Sequence, residues 1–155
     1  MGEKFWNWPG RQASPRKRIP SWMKEDAMIG LDTGFFVELL RGGPQAVALW
    51  EQLIEGEKEA LVSCLTLFEI ERLALKGAVS GSEVLLEGIQ AVCRLHWIHT
   101  PELLSQAARI SHGLGIPAFD SLILAAFLAE NVTAVYTTDS HLESYLKKGI
   151  EIVRL

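Results

Sequence analysis

From Met28 onward the chain alternates short, mostly apolar runs with longer segments of helical period, and this alternation restricts its fold more than any other feature. Met28–Leu31, Ala60–Ser63, Leu95–Ile98, Ala134–Tyr136 and Ile150–Val153 are too short for helices. They are also too continuously apolar for strands with one wet face. Between them lie helical segments. Thr33–Leu40 reads as a helix stopped by Gly42 and Gly43. Pro44 suits the first position of the next, with Val47, Trp50, Leu53 and Ile54 at helical spacing. Thr66–Lys76 closes on Gly77, and Ser82–Val92 follows with Ser82 as a candidate cap. Pro101 starts a helix to about His112, Pro117–Ala129 is an almost wholly apolar helix, and His141–Lys147 is a short one. Buried strands separated by helices run parallel and need cover on both faces. The expected fold is therefore α/β, a three-layer α/β/α sandwich with a mostly parallel central sheet of about five strands.

A chain of 155 residues, 48% of them hydrophobic, can bury a core but is too short for two ordinary domains. Cys64 and Cys93 sit in apolar segments and read as buried thiols of a reducing cytosol. The absence of a Cys/His cluster argues against zinc. The longest apolar stretch, Ser121–Ala129, has about half the length a membrane helix needs, so no membrane association is expected. Residues 1–27 differ in kind. Trp6, Trp8, Pro9, Gly10, Pro15, Pro20 and Trp22 follow no period, and no apolar stretch follows the basic residues as in a signal peptide. They read as an irregular extension or misassigned leader ahead of a domain over 28–155, with Met28 as a candidate original start. The net charge of −4 divides unevenly, +3 over residues 1–27 and −7 over the rest. An acidic body repels nucleic acid, which any nucleic-acid function must overcome.

In a doubly covered parallel sheet, ligands bind beyond the C-terminal ends of the strands, where the strand order reverses. Asp32 directly follows the first strand, and Asp139 lies just after the fourth, in Val135-Tyr136-Thr137-Thr138-Asp139. Glu69 sits early in the helix after the second strand. Asp120 lies in the first turns of the apolar helix that feeds the fourth. Taken singly, each has an ordinary structural role. Asp32 and Asp139 suit helix caps, and Glu69 suits a solvated position paired with Arg72. Asp120 is the hardest to explain that way. Phe119, Leu122, Ile123, Leu124 and Phe127 leave it little polar face, although the positive helix N-terminus favours it. Carboxylates crowded at one rim repel one another unless a cation lies between them. Mg²⁺ or Mn²⁺ suits all-oxygen ligation, and such a site is equipment for phosphodiester hydrolysis.

Four segments carry a family pattern: Ile29-Gly30-Leu31-Asp32-Thr33, Val62-Ser63-Cys64-Leu65-Thr66-Leu67-Phe68-Glu69-Ile70, Ile116-Pro117-Ala118-Phe119-Asp120-Ser121-Leu122, and Val135-Tyr136-Thr137-Thr138-Asp139-Ser140-His141-Leu142. In order and spacing they resemble the PIN-domain nucleases, in particular the small VapC-type toxins of prokaryotes, from Met28 to the C-terminus. The resemblance implies a Mg²⁺- or Mn²⁺-dependent endoribonuclease with Asp32, Glu69, Asp120 and Asp139 as metal-binding acids. Thr137 matches a hydroxyl residue that orients a carboxylate beside the metal. Its ordinary role is to end a strand, and Ser140 reads as a helix cap. Leu142 stands where the family often has an aromatic, a departure that touches packing. The resemblance also implies a homodimer, whose groove could gather basic residues for RNA, and a small antitoxin partner. Arg72 and Lys76, on the helix face of Glu69, are candidate phosphate contacts, with Arg41 and Arg109 as weaker ones. A solvated helix face explains all four equally well.

Other readings remain. Asp32-Thr33-Gly34 matches an aspartic-protease signature, but that chemistry needs paired lobes in an all-β fold, against the helical periods here. A phospho-accepting receiver domain would carry paired acids near the first strand and a lysine near the last, and both are missing. A PIN module kept only for binding, or an RNA-processing nuclease without an antitoxin, shares every motif above.

Overall fold

The structure is a computed structural model that describes residues 27–145 and 149–155. Apart from Ala27, the extension expected over 1–27 lies outside the described residues, as does the end of the helix expected over 141–147. Five strands form one sheet: β1 Ile29–Leu31, β2 Ala60–Ser63, β3 Arg94–His96, β4 Ala134–Thr137 and β5 Glu151–Arg154. Among the described residues six α-helices accompany them: α1 Thr33–Leu40, α2 Pro44–Ile54, α3 Cys64–Leu75, α4 Ser82–Val92, α5 Pro101–Leu114 and α6 Ala118–Ala129. Every strand pair is parallel, in the order β3-β2-β1-β4-β5. The expected sandwich is present, and its sheet is wholly parallel.

The pleat of the central strands assigns the two faces. Ile29, Leu31, Ala60 and Val62 pack into a core with Phe35, Phe36 and Leu39 of α1, Leu49, Trp50 and Leu53 of α2, Ile70 of α3, and Leu85 and Ile89 of α4. The alternate residues face the other way. Leu61 and Val135 pack with Leu103, Ala107 and Ile110 of α5 and with Ile123, Leu124 and Phe127 of α6. Both faces of β1 and β2 are therefore dry, which is why their sequences are apolar without alternation. Helix starts follow local chemistry. The Thr100 hydroxyl accepts the Leu103 N–H at 3.3 Å ahead of Pro101, and Pro44 opens α2. Cys93 is buried as expected, whereas Cys64 is only half-buried at the start of α3.

Three local expectations need correction. The third strand is Arg94–His96, not Leu95–Ile98. Among the described residues it pairs with β2, through Leu61–Arg94, Val62–Leu95 and Ser63–His96, and β2 turns into α3 at Cys64, so the ladder does not extend to Trp97 and Ile98. For the same reason α3 starts two residues before Thr66, capped by the Ser63 hydroxyl. The segment after β4 is a 3₁₀ turn, Ser140–Ser144, rather than an α-helix from His141. Its cap is Asp139, not Ser140.

Gly30 is buried in the middle of β1 because α6 leaves no room for a side chain. A Cβ there would lie 3.0 Å from three ring atoms of Phe127, itself fully buried. Gly30→Ala is expected to cost about 1–3 kcal/mol by overpacking. The double variant with Phe127→Leu should recover part of that loss in urea unfolding. Additive losses would show that the two positions do not compete for space.

Candidate active site

The strand order reverses between β1 and β4, so the crevice that such sheets use for ligands opens at the C-terminal ends of these two strands. Asp32 is the first residue past β1, and Asp139 is the second past β4. The register aligns Leu31 with Tyr136, so Asp32 lies beside Thr137, and its N–H reaches the Tyr136 carbonyl at 3.5 Å. Glu69 is on α3, directly downstream of β2, and Asp120 is in the first turn of α6.

Asp32 is the anchor. It is buried at 6% exposure, and its two oxygens have separate partners. Oδ1 accepts the Phe35 N–H at 3.0 Å as the cap of α1, and Oδ2 accepts a short hydrogen bond from the Thr137 hydroxyl. Burial pushes its carboxyl up to about 6, against the lowering effect of these two hydrogen bonds and helped by the charges of Asp139 and Glu69. Thr137 Oγ1 also accepts the Asp139 N–H at 2.8 Å, so a single hydroxyl ties the two rim acids together. Gly34 closes the arrangement from α1. A Cβ there would meet Thr138 Oγ1 at 2.2 Å and its backbone N at 3.0 Å, so any side chain at 34 would displace the loop that carries Asp139.

The remaining acids converge on this pair. Burial raises the Glu69 carboxyl. The Thr33 hydroxyl, donating to Oε1 at 3.1 Å, and the nearby Arg72 lower it, and Asp139 raises it. Asp120 is pushed up to about 7, first by burial, then by the charge of Asp139 and a hydrogen bond with it, and further by Glu69 and Asp32. Asp139 Oδ1 accepts the His141 backbone N–H at 2.8 Å, and His141 Nδ1 lies 2.8 Å from the same oxygen and 4.0 Å from Asp120 Oδ2. Donor atoms of Asp120, Asp139 and His141 all lie within 4.8 Å of one another.

The four acids picked out from the sequence therefore act on one another electrostatically, and Thr137 touches two of them. Their capping roles hold as well. Asp32 and Asp139 each cap a following turn with one oxygen, which leaves the other oxygen of each for a further partner. The basic residues divide. Arg72 is close enough to lower Glu69. Lys76 lies past the end of α3, as its C-cap, and is exposed. Arg41 is the exposed C-cap of α1, and Arg109 lines a depression with Pro101, Glu102, Ser105 and Gln106 that includes none of the four acids. Sequence reasoning missed Thr33 and His141. Their signal was position alone: Thr33 is the first residue after Asp32, and His141 follows Asp139 by two inside the turn that Asp139 caps.

An acid-lined crevice at the switch point of a wholly parallel, two-faced sheet defines a class of α/β domain. The family model for the PIN domain matches residues 29–148, and the chain belongs to that family. No curated protein matches the chain. Several solved structures share its fold. VapBC2 from Rickettsia felis, bound to a promoter DNA fragment, matches at TM-score 0.61 and 14% identity over 82% of this chain and 98% of that one. VapC20 of Mycobacterium tuberculosis, a sarcin-ricin loop cleaving toxin, matches at 0.60 and 19% over 79% and 98%. FitAcB from Neisseria gonorrhoeae matches at 0.57 and 25% over 81% and 96%. Among the described residues no helix is long and apolar enough to cross a membrane.

The raised carboxyls make metal-free stability depend on pH in a defined direction. Below the unfolded value of 3.8 both states hold the protons of Asp32 and Asp120, and pH has no effect through them. As pH rises toward about 6 and about 7, the unfolded chain releases these protons first, so the folded state loses stability through that window. The melting temperature in EDTA should therefore fall between pH 5 and pH 8, and Asp120→Asn should flatten the fall. A wild-type melting temperature that climbs steadily over the same range would contradict this electrostatic account.

Proposed function

We propose that this chain is a divalent-metal-dependent endoribonuclease that hydrolyses RNA phosphodiester bonds, and that it serves as the toxin of a VapBC-type pair. The observation that carries the reading is the convergence of Asp32, Glu69, Asp120 and Asp139 at the β1–β4 switch point, where burial and mutual repulsion raise three of them. Such a cluster is costly for an unliganded protein and useful to one that binds a cation. The donor set fits Mg²⁺ or Mn²⁺, which take oxygen ligands and keep several waters. Bound there, the metal neutralises the phosphate and lowers the pKa of the attacking water.

The chain's own residues supply the rest. Asp120 and Asp139 are half-buried, and their carboxylate oxygens would hold the cation, which would displace the proton that Asp120 binds more tightly than usual. Asp32 is gripped by Phe35 and Thr137, so its position is set before any ligand arrives. Thr33 holds Glu69 at the opposite edge of the cluster. Arg72, whose charge lowers the Glu69 carboxyl, is the basic side chain that would meet a phosphate of the substrate strand, and Lys76 lies one position past the end of the same helix.

The toxin assignment draws on the solved neighbours, among them toxin–antitoxin complexes from Klebsiella pneumoniae and Mycobacterium tuberculosis. Exposed apolar side chains also favour protein partners. Phe68 on α3 and Phe119 on α6 meet edge to face at 5.7 Å while 53% and 38% exposed, and Leu75 and Leu104 are also exposed. A homodimer and a small antitoxin are the proposed occupants of such surfaces, and a cytoplasmic location suits both.

Purified protein is expected to cleave single-stranded RNA with Mg²⁺ or Mn²⁺ and to stop in EDTA. Asp120→Asn should lower the rate at least about 100-fold, in the range of losing a group that stabilises transition-state charge, while the fold survives. Cleavage that persists in that variant or without metal would sink the mechanism. An inert protein that still binds metal would instead favour a PIN module kept for binding.

A further inference from the structure

The family pattern is a set of carboxylates, yet among the described residues the group of donor atoms close enough to hold one ion includes a nitrogen. Asp120, Asp139 and His141 each bring one donor atom within 4.8 Å of the others, and the two separations from Nδ1 are 2.8 Å to Asp139 Oδ1 and 4.0 Å to Asp120 Oδ2. Around one octahedral ion with bonds of about 2.1 Å, neighbouring donors lie about 3 Å apart and opposite donors about 4.2 Å apart. Both separations fall close to that pattern. The 2.8 Å separation also suits a hydrogen bond from Nδ1–H to Oδ1, in which the shared proton takes the place a cation would fill.

The backbone that carries the ring is also held in place. Asp139 Oδ1 accepts the His141 backbone N–H and so starts the 3₁₀ turn, and the Ser144 hydroxyl donates to the His141 carbonyl at 2.8 Å. Leu142, at 1% exposure, pins the turn into the core beside α6. His141 itself is 58% exposed on its side chain, and Nδ1 is the ring nitrogen that faces the two acids.

We propose that His141 is a nitrogen donor to the cation held by Asp120 and Asp139, and that it makes this site prefer Mn²⁺ to Mg²⁺. The inference rests on the metal-dependent reading above and deepens it. Mg²⁺ is a hard ion that takes oxygen and gains little from imidazole. Mn²⁺ also favours oxygen, but as a first-row transition ion at the start of the nitrogen-affinity series it takes an imidazole among oxygen donors more readily than Mg²⁺ does. The nitrogen therefore adds affinity for one of the two candidate metals and almost none for the other.

The test uses the full chain with Mn²⁺ and Mg²⁺ as probes. Pulsed electron-spin-echo spectroscopy of the Mn²⁺-loaded protein should show modulation from a directly bound imidazole ¹⁴N. The signal should change to the ¹⁵N pattern when the histidines are labelled, and should vanish in His141→Gln. In calorimetric titrations the same substitution should weaken Mn²⁺ about tenfold or more and leave Mg²⁺ within about twofold. No ¹⁴N modulation in the unsubstituted protein, or a parallel loss of both affinities, would overturn the proposal. A parallel loss is what removing a mere hydrogen-bond support of Asp139 would produce. Binding of neither metal would overturn this proposal and the metal-dependent reading together. Nitrogen-ligated Mn²⁺ with no RNA cleavage would uphold the donor and overturn the ribonuclease reading alone.

Discussion

The parallel pairing of β1 with β4 is the contact on which the rest of the structure depends. It joins segments about a hundred residues apart in the chain and places Ile29, Gly30 and Leu31 beside Ala134, Val135 and Tyr136. On one side of this pair α1 and α2 bury Phe35, Phe36 and Trp50, and on the other α6 lays Phe127 over Gly30. Its C-terminal end is also where the connections diverge. The chain from β1 runs outward through β2 to β3, and the chain from β4 runs outward to β5 on the other side. That divergence marks the switch point, so the place where the acids gather is a product of topology before it is a product of side chains.

The crevice is filled with groups that dislike one another. Asp32 bears the largest burial and offsets it with a backbone N–H and the Thr137 hydroxyl. Asp120 has less burial but more like charge around it, and its carboxyl moves further, to about 7. Arg72 relieves only Glu69, from the exposed side of α3. Hydrogen bonds thus hold Asp32 and Glu69 in place while the like charge of the cluster stays unbalanced, the condition that the proposed cation would relieve. The acidic body that seemed to argue against nucleic acid is partly this cluster, and a divalent cation held there would offset part of its charge.

Much of this was legible in the sequence, for identifiable reasons. Strands dry on both faces carry unbroken apolar runs, and Pro44, Pro101, Gly77 and Gly115 punctuate the helices, so element order and type follow directly from pattern. Asp32 and Asp139 were placed by the strand-end rule, and Asp120 by its apolar surroundings. Glu69 followed from the family resemblance, because nothing in a helix with many exposed positions distinguishes one glutamate. The misreadings share a cause. The bounds of β3, the start of α3 and the nature of the turn after β4 depend on where a neighbouring strand ends or where a side-chain oxygen points, and neither is a property of the local segment.

The sequence by itself determined the periods, the caps and the set of acids, because these depend on covalent neighbours within a turn or two. Only the tertiary structure decided that Thr137 would hold both Asp32 and Asp139, that Thr33 would hold Glu69, and that a histidine would join Asp120 and Asp139. The same holds for the basic residues: Arg72 reaches the site, while Lys76, four positions on, falls past the helix end. The reason is physical. Hydrogen bonds and charge interactions act over a few ångströms of space, and the separation of 105 residues between Asp32 and Thr137 becomes a single hydrogen bond only when β1 and β4 pair.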